Sequence, residues 1–431
     1  MKIVYDISVL GMCHKFPERR TGIFRVVENI TYGLVASQEC DLNFCSSSSL
    51  YPLETLDGCL DYLASNPQIS TIPLPHSKFR RLINSKLCDI NIAISETSKL
   101  QSLFLKLVRK PLYYTTKILE AYSCLIDPKS LSEAEIFHSC LFGIPEQVKK
   151  AKKVKSFLTV YDLIPILYPH FFVLNDDGSH FLSKALESLE RDDWVISISH
   201  STKNDLCDYL KIDPSRVFVT HLAADSTLFY KCSDYEKKSL IRKKYNIPDA
   251  PYIVSVSTLE PRKNIDHVIR CFAQLIQQEN IQDLYLVLVG NKGWKYDNIF
   301  DEISNYNFLE NRVILTGYVA NEDLAALYSG ALAFVYPSFY EGFGLPPLEA
   351  MQCGVPVITS NTSSLPEVVG DAGIMLAPTD TDGLCHSMLE IYNSSSVRES
   401  MSFKSLERAK QFSWEKCIQE TINAYKAALN S

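Results

Sequence analysis

The sequence predicts an α/β protein whose two domains are each built on a parallel sheet covered by helices. The chain has 431 residues, of which 46% are hydrophobic, so it is too long for one ordinary core and apolar enough to fill two. In its second half, short apolar runs typical of buried strands alternate with amphipathic helical patterns. This alternation favours a parallel sheet that binds its ligands at the carboxyl ends of its strands.

The alternation can be followed element by element. In the second half, strands are predicted at 252–257, 284–290, 312–316, 331–336 and 355–359, and helices at 265–278, 297–305, 322–329 and 345–353. The first half fits the same plan with less regular segments at 2–8, 22–36, 156–161, 194–199 and 217–220. A charged segment at 231–244 separates the halves, so we predict domains at 1–235 and 236–412, followed by a helix at 413–431.

Charge and cysteine content narrow the class of protein. The net charge of -7 gives no support for a nucleic-acid partner. The thirteen cysteines form an odd set without a Cys-x-x-Cys pair, and we interpret most of them as small core residues of a protein in a reducing cytoplasm. The chain has no apolar run long enough to span a membrane, and its first residues read as a strand of the mature fold.

The most informative stretch is the loop between the predicted strand at 331–336 and the predicted helix at 345–353. From Phe339 to Ala350 it reads FYEGFGLPPLEA. A glycine-bearing loop that leads into a helix presents free backbone N–H groups and the positive end of the helix dipole, which suits a diphosphate. Glu341 and Glu349 flank this spot, and carboxylates accept hydrogen bonds from sugar hydroxyls. The pattern predicts a nucleotide-sugar site.

A second motif follows the predicted strand at 252–257. The segment from Thr258 to Asn264 reads TLEPRKN and places Arg262 and Lys263 at the carboxyl end of a strand, facing the predicted cleft. Such a pair can stabilise the negative charge of a leaving diphosphate without a metal. We therefore predict catalytic roles for both residues and no cofactor. The Asp-x-Asp sequence that starts at Asp380 is interpreted as a helix N-cap, so no metal site is predicted.

Together the two motifs resemble the signature of retaining glycosyltransferase family four, among the glycosyl transferases group 1. The resemblance covers nearly the whole chain and is strongest from 252 to 378. It implies the GT-B fold, in which two Rossmann-like domains face each other across a cleft, the first binding the acceptor and the second the nucleotide sugar. It also implies retaining transfer, from GDP-mannose or a UDP-sugar, to a hydroxyl of a lipid-linked or cell-surface glycan, and a mannosyltransferase-like protein.

Site roles follow from the resemblance residue by residue. Glu349 would bind the nucleotide ribose and Glu341 the transferring sugar. Gly22 matches a glycine whose backbone N–H reaches the donor phosphate from the opposite domain, although a plain helix N-terminus explains it equally well. In the family the last helix crosses back to the first domain; a simple terminal helix of the second domain is the alternative. The other predicted donor-binding residues are Gly290, Tyr318, Val319, Gly342, Phe343, Gly344 and Leu345.

The chain departs from the family's pattern at two positions. Ser257 stands where the family often has a further arginine, and Tyr161 stands where a histidine commonly precedes the aspartate. Asp162 is retained, and we predict that it orients sugar hydroxyls as a catalytic residue. His138 is the nearest alternative imidazole, with a structural role as the other interpretation. These departures keep a non-catalytic GT-B subunit that supports a partner glycosyltransferase as an alternative; a glycan phosphorylase with a pyridoxal-phosphate lysine is a more distant one.

The region 73–110 is basic, with apolar residues interleaved. Its lysines and arginines outnumber its two acidic residues, Asp89 and Glu96. A basic amphipathic surface of this kind could meet anionic lipid or a lipid-linked acceptor at the inner face of the membrane. A solvated helix face is the other interpretation, so the sequence predicts a cytoplasmic protein and leaves peripheral membrane contact open.

Overall fold

The protein contains two six-stranded sheets in which every strand pairing is parallel. The computed structural model describes residues 1–17, 20, 22–48, 52–72, 74, 82–83, 86–87, 89–90, 93–94, 97, 99–121, 126–171, 180–291, 293, 297–309 and 311–431. The first sheet and its helices form the first domain, and the second sheet and its helices form the second domain. This confirms the predicted α/β class.

The first sheet has the strand order β2-β1-β3-β4-β5-β6. Parallel strands covered on both faces consist of nearly continuous apolar residues, and Ile3, Phe137, Phe157 and Val195 are indeed fully buried. The strands are β1 (Lys2–Asp6), β2 (Asp41–Cys45), β3 (Ile136–Ser139), β4 (Lys155–Val160), β5 (Trp194–Ser197) and β6 (Val217–Val219).

Helices of the first domain follow its strands. They are α1 (Ser8–Lys15), α2 (Gly22–Ala36), α3 (Pro52–Ser65), α4 (Lys99–Ala121), α5 (Pro128–Glu133), α6 (Glu146–Lys150), α7 (Ile164–Leu167), α8 (Phe181–Glu187) and α9 (His200–Leu210). Of the basic region 73–110, the structure describes the residues of α4 and ten positions before it, and the others lie outside the described residues. None of the described helices combines the length and apolar content needed to cross a membrane.

The second sheet has the order β12-β11-β10-β7-β8-β9. Its strands are β7 (Tyr252–Val256), β8 (Tyr285–Val289), β9 (Val313–Gly317), β10 (Ala333–Tyr336), β11 (Val357–Ser360) and β12 (Ile374–Leu376). Its helices are α10 (Tyr235–Lys244), α11 (Ile265–Gln278), α12 (Asp297–Ser304), α13 (Asn321–Gly330), α14 (Leu345–Gln352), α15 (Leu365–Val369), α16 (Thr381–Asn393) and α17 (Ser395–Ala409).

A switch in strand order lies between β7 and β10. From β7 the sheet grows through β8 and β9 on one side, and through β10, β11 and β12 on the other. In sheets of this type the ligand crevice opens at the switch point, outside the carboxyl ends of the two adjacent strands. The loops after β7 and β10 carry the two motifs singled out in the sequence, so the topology brings these motifs together.

The last helix, α18 (Trp414–Leu429), packs against α2 and β5 of the first domain. Its Tyr425 hydroxyl lies 2.5 Å from Nδ1 of His138, in the centre of the first sheet. Gly33 of α2 leaves room for Ile418, because a Cβ at position 33 would collide with that side chain. The last helix therefore lies on the first domain, while the domain boundaries after 235 and 412 stay predictions.

Candidate active site

The loops that follow β7 and β10 lie side by side. A 3-10 turn, Pro261–Lys263, follows β7, and the loop at 337–344 follows β10. The backbone N–H of Phe339 donates to the carbonyl of Arg262 at 3.0 Å, and the Arg262 side chain donates to the carbonyl of Tyr340 at 2.6 Å. The two predicted motifs thus form one continuous structure.

Four donors converge on Oε1 of Glu341, a residue that is 8% exposed. Lys263 Nζ lies 2.7 Å from it and Arg262 Nη1 lies 2.9 Å from it. The hydroxyls of Ser338 and Tyr336 donate at 2.6 and 2.9 Å. Since all four contacts fall on one oxygen, the orientation of this carboxylate is fixed.

The charges in this cluster are balanced, because Arg262 also pairs with Glu260 at 2.7 Å. Burial acts to raise the pKa of Glu341, but the charges of Arg262 and Lys263 outweigh it and lower that pKa to about 2. Burial lowers the pKa of Lys263, and the nearby charge of Arg262 lowers it further. The negative charge of Glu341 acts to raise it. Glu341 is therefore ionised at neutral pH.

Two serines hold the backbone of the glycine loop. The N–H of Glu341 donates to Ser363 Oγ at 2.9 Å, and Ser364 Oγ donates to the carbonyls of Glu341 and Phe343 at 2.9 and 2.7 Å. Gly344, the N-cap of α14, has a φ of +115°, a conformation that residues with side chains rarely adopt. The Phe343 ring is buried, so this residue offers a ligand its backbone and not its ring.

The first domain approaches this loop at two glycines. A Cβ on Gly22, the first residue of α2, would lie 3.6 Å from Leu345 at the start of α14. A Cβ on Gly342 would collide with the carbonyl oxygen of Tyr161 and would lie 3.0 Å from Cβ of Asp162. The N-termini of α2 and α14 therefore face each other across the crevice, and both approaches of the first domain to the loop involve a glycine.

Glu349 forms an ion pair across the crevice that the sequence did not reveal. Its Oε1 lies 2.9 Å from Nη2 of Arg25 in the first turn of α2, although Glu349 is only 3% exposed. Burial raises the pKa of Glu349, and the charge of Arg25 opposes this rise. Arg25 lies one helical turn beyond Gly22, so its place on the crevice side of α2 was the available signal.

Asp162, unlike Tyr161 and His138, interacts with the charges of the Glu341 cluster. Burial raises its pKa, while the charge of Arg262 acts to lower it, and its Oδ1 accepts from the N–H of Ile164 at 3.0 Å. The Tyr161 ring is buried in the hydrophobic core, and its carbonyl faces Gly342 of the second domain. The ring of Tyr161 is therefore a core side chain.

His138 is a structural residue and does not line the crevice. It is buried in β3, with Nδ1 next to Tyr425 and Nε2 lying 2.7 Å from Thr159 Oγ1. Burial lowers the pKa of His138 to about 3. Because both ring nitrogens have partners in the fold, the interpretation of His138 as a replacement imidazole is wrong.

The remaining predicted donor-binding residues, Gly290, Tyr318 and Val319, follow the ends of β8 and β9. The N–H of Gly290 donates to the carbonyl of Gly317 at 2.9 Å, and Gly290 has a φ of +138°. Val319 is buried, whereas Tyr318 is 63% exposed. Val319 could contact a ligand only through its backbone. Asp380 is the N-cap of α16 and accepts from the N–H of Gly383, which confirms the N-cap interpretation.

The GT-B class of glycosyltransferases has two Rossmann-like domains that face each other, as they do here. The glycine loop and the paired cations lie at the switch point of the second sheet. Solved structures of such enzymes superpose on the chain. Sucrose-phosphate synthase from Thermosynechococcus elongatus gives a TM-score of 0.64 at 20% identity and covers 100% of both chains. WaaG, a glycosyltransferase involved in lipopolysaccharide biosynthesis, gives 0.59 at 14% identity, covering 99% of this chain and 98% of its own.

The chain belongs to the glycosyl transferases group 1, whose family model matches residues 237–408. The O-antigen chain mannosyltransferase B of Escherichia coli is 35% identical over 348 residues, which make up 78% of this chain and 86% of the relative. The serotype-specific mannosyltransferase WbdA of Escherichia coli is 30% identical over 64% of this chain, which spans only 34% of that longer protein. The protein is thus a glycosyltransferase that moves a sugar from a nucleotide sugar to an acceptor. The narrower assignment to family four stays a prediction.

Proposed function

We propose that the protein is a retaining mannosyltransferase that uses GDP-mannose and extends a lipid-linked or cell-surface glycan, with a UDP-sugar as the alternative donor. The observation that carries the proposal is the fixed carboxylate of Glu341 between Arg262 and Lys263, opposite the first domain. Mannose and the glycan acceptor are supported by the relative named as an O-antigen chain mannosyltransferase. A second relative, from Mycolicibacterium hassiacum, is named MMP alpha-(1->4)-mannosyltransferase and is 25% identical over 54% of both chains.

In the proposed complex, each part of the crevice contacts one part of the donor. The diphosphate lies between the N-termini of α2 and α14, near Arg262 and Lys263, whose charges stabilise it as it leaves. The donors to Glu341 all contact Oε1, so we assign Oε2 to a hydroxyl of the transferring sugar. Glu349 accepts from the ribose. The proposal requires no metal or cofactor.

We propose that configuration is retained by front-face attack, because neither Glu341 nor Asp162 is well suited to act as a nucleophile. A carboxylate that accepts from two cations and two hydroxyls, as Glu341 does, is a poor nucleophile, since its pKa is lowered to about 2. Asp162 has one oxygen bound to the backbone at the start of α7. The departing phosphate would then take the proton of the acceptor hydroxyl. Mass spectrometry that traps a glycosyl group on either carboxylate would disprove this mechanism.

Donor use can be tested with the purified chain and a panel of nucleotide sugars. GDP-mannose should raise the Tm more than the UDP-sugars by mass action, and the protein should hydrolyse it slowly without acceptor. Hydrolysis should disappear in Glu341→Ala and Lys263→Ala. A protein that binds no donor and hydrolyses none would instead be the non-catalytic subunit considered as the alternative.

Peripheral contact with an anionic membrane is proposed for α4. Leu103, Phe104 and Leu107 are 63%, 66% and 66% exposed, and they share α4 with Lys106, Arg109 and Lys110. An exposed apolar stripe beside basic residues is the pattern of helices that lie in the membrane interface. Leu103→Glu with Leu107→Glu should abolish sedimentation with anionic vesicles, whereas Leu240→Glu on α10 should not. Equal sedimentation of both variants would exclude α4 as the contact.

A further inference from the structure

A cluster of two histidines and a glutamate joins the two domains outside the sugar crevice. His200 is the first residue of α9 and His221 follows β6, so both belong to the first domain, whereas Glu367 lies in α15 of the second. The imidazole and carboxylate atoms of the three side chains all lie within 4.8 Å of one another. His221 Nε2 is 3.2 Å from Oε2 of Glu367, and the two imidazole rings are 5.6 Å apart.

The backbone fixes the carboxylate of this cluster. The N–H groups of His200 and Ser201 donate to Oε2 and Oε1 of Glu367 at 2.9 and 3.1 Å. These two hydrogen bonds hold the Glu367 carboxylate next to both imidazoles.

The chemistry of the three groups matches a transition-metal ion. Two neutral imidazole nitrogens and one carboxylate oxygen are the ligand set that Zn²⁺ and its first-row neighbours accept, with water in the fourth position. His200 is exposed, while His221 and Glu367 keep about a fifth of their side chains exposed, at 21% and 19%. The carboxylate of Glu420, 3.3 Å from the His221 N–H, adds negative charge nearby. An ion could thus enter from solvent.

We propose that His200, His221 and Glu367 form a binding site for Zn²⁺ or a similar dication that ties the two domains together. On binding, the ion replaces the proton on His221 Nε2, which passes to solvent, and small rotations of the two imidazoles bring the ligand atoms to coordination distance. The site lies outside the donor crevice, so the ion would act on the arrangement of the domains and not on the reacting atoms.

Ion binding at this position would also hold the glycine loop. The helix that starts at His200 contacts that loop directly, since Thr202 Oγ1 donates to the carbonyl of Gly342 at 3.3 Å and Tyr340 is hydrogen-bonded to Asp205. A metal link between α9 and α15 therefore restrains the domains in the arrangement seen here. Enzymes of two domains commonly open and close during turnover, so the ion should slow turnover as well as raise the Tm.

The test compares zinc binding by the full chain and by two histidine variants. His200→Ala removes an exposed imidazole but keeps the backbone N–H that donates to Glu367, so the hydrogen bonds between the domains remain. The matched control is His386→Ala, an exposed histidine on α16. Calorimetric titration with ZnCl₂ should give one site on the native chain and on the control, with at least tenfold weaker binding by His200→Ala. The zinc-dependent rise in Tm should be lost in His200→Ala alone.

Two results would overturn the proposal. One is a His200→Ala variant that binds zinc as tightly as the native chain. The other is a Co²⁺ spectrum with the intense charge-transfer bands of thiolate ligands, which would assign the bound ion to cysteines instead. Neither result depends on sugar transfer, so the site can fail while the proposed function stands, and the reverse is also true. Circular dichroism of both variants checks that the fold is intact.

Discussion

At the scale of single residues, the cost of burying Glu341 is offset by charge. An isolated carboxylate in such a place would carry a penalty of several kcal/mol, yet Glu341 is 8% exposed. Its two cationic partners are nearly as buried and depend on it in turn. Removing one member should therefore affect both stability and transfer, because it unbalances the buried charges that remain.

The substitution Glu341→Gln keeps the shape of the side chain and removes its charge. We expect the rate of sugar transfer to fall by about 10²–10³-fold, as for the loss of one fixed polar group at a transition state. The free energy of unfolding should fall by about 3 kcal/mol, because Arg262 and Lys263 then share one anion. Single-turnover kinetics and urea unfolding measure the two effects. Glu322→Gln, an exposed acid on α13, should change neither, and a fully active Glu341→Gln would refute the assignment.

Arg25 should make donor binding depend on pH in a defined direction. Burial raises the pKa of Glu349 and Arg25 opposes the rise, so Arg25→Ala should raise that pKa further. A carboxyl group accepts ribose hydroxyls best when ionised, and this form is lost as the pH falls through its pKa. In Arg25→Ala, the loss of donor affinity at low pH should therefore begin at a higher pH than in the native chain. The KM for the donor should rise about tenfold. Arg25→Lys should restore part of the affinity. An unchanged pH dependence of donor affinity in Arg25→Ala would mean that the pair of Arg25 and Glu349 does not act on the donor.

At the scale of elements, the loop after β10 can contact the first domain because position 342 is a glycine. Gly342→Ala would drive a methyl group into the Tyr161 carbonyl, so we expect kcat/KM to fall at least tenfold and stability to fall by about 1–3 kcal/mol. The matched change is Gly143→Ala, whose methyl would lie 3.0 Å from Ser188 Oγ within the first domain. That variant should lose some stability and keep its kinetics. Equal kinetic losses in both would show that contact between the domains is not the cause.

The elements also show how far the sequence could be interpreted. From β7 to α14, predicted and observed bounds differ by at most two residues, because apolar strands and amphipathic helices alternate there without interruption. The short strands β2 and β3 were missed, since runs of four or five residues that include Asn43, His138 or Ser139 give no clear period, and β12 was missed because its three apolar residues are too few to show one. The contact between the Arg262 and Glu341 loops follows from the switch-point rule. The pair of Arg25 and Glu349 does not, because it depends on how two separate domains meet.

At the scale of the whole molecule, α18 is anchored in the first domain by a buried hydrogen bond. Tyr425→Phe would leave Nδ1 of His138 without its partner in the core, which should cost about 1–3 kcal/mol of unfolding free energy. The control is Tyr392→Phe, because the Tyr392 hydroxyl donates to Asp283 at the exposed surface, at 2.6 Å, and should matter little. Denaturant unfolding measures both. Since neither tyrosine lies in the crevice, a loss of transfer without a loss of stability in Tyr425→Phe would contradict this role.

The return of α18 to the first domain means that the polypeptide passes between the domains twice, once before α10 and once after α17. Two connections between the same two domains permit rotation about the line that joins them and resist rotation about other axes. If the crevice widens to admit a nucleotide sugar, that widening should be a swing about this single line, with the glycine loop and Gly22 moving apart along one arc.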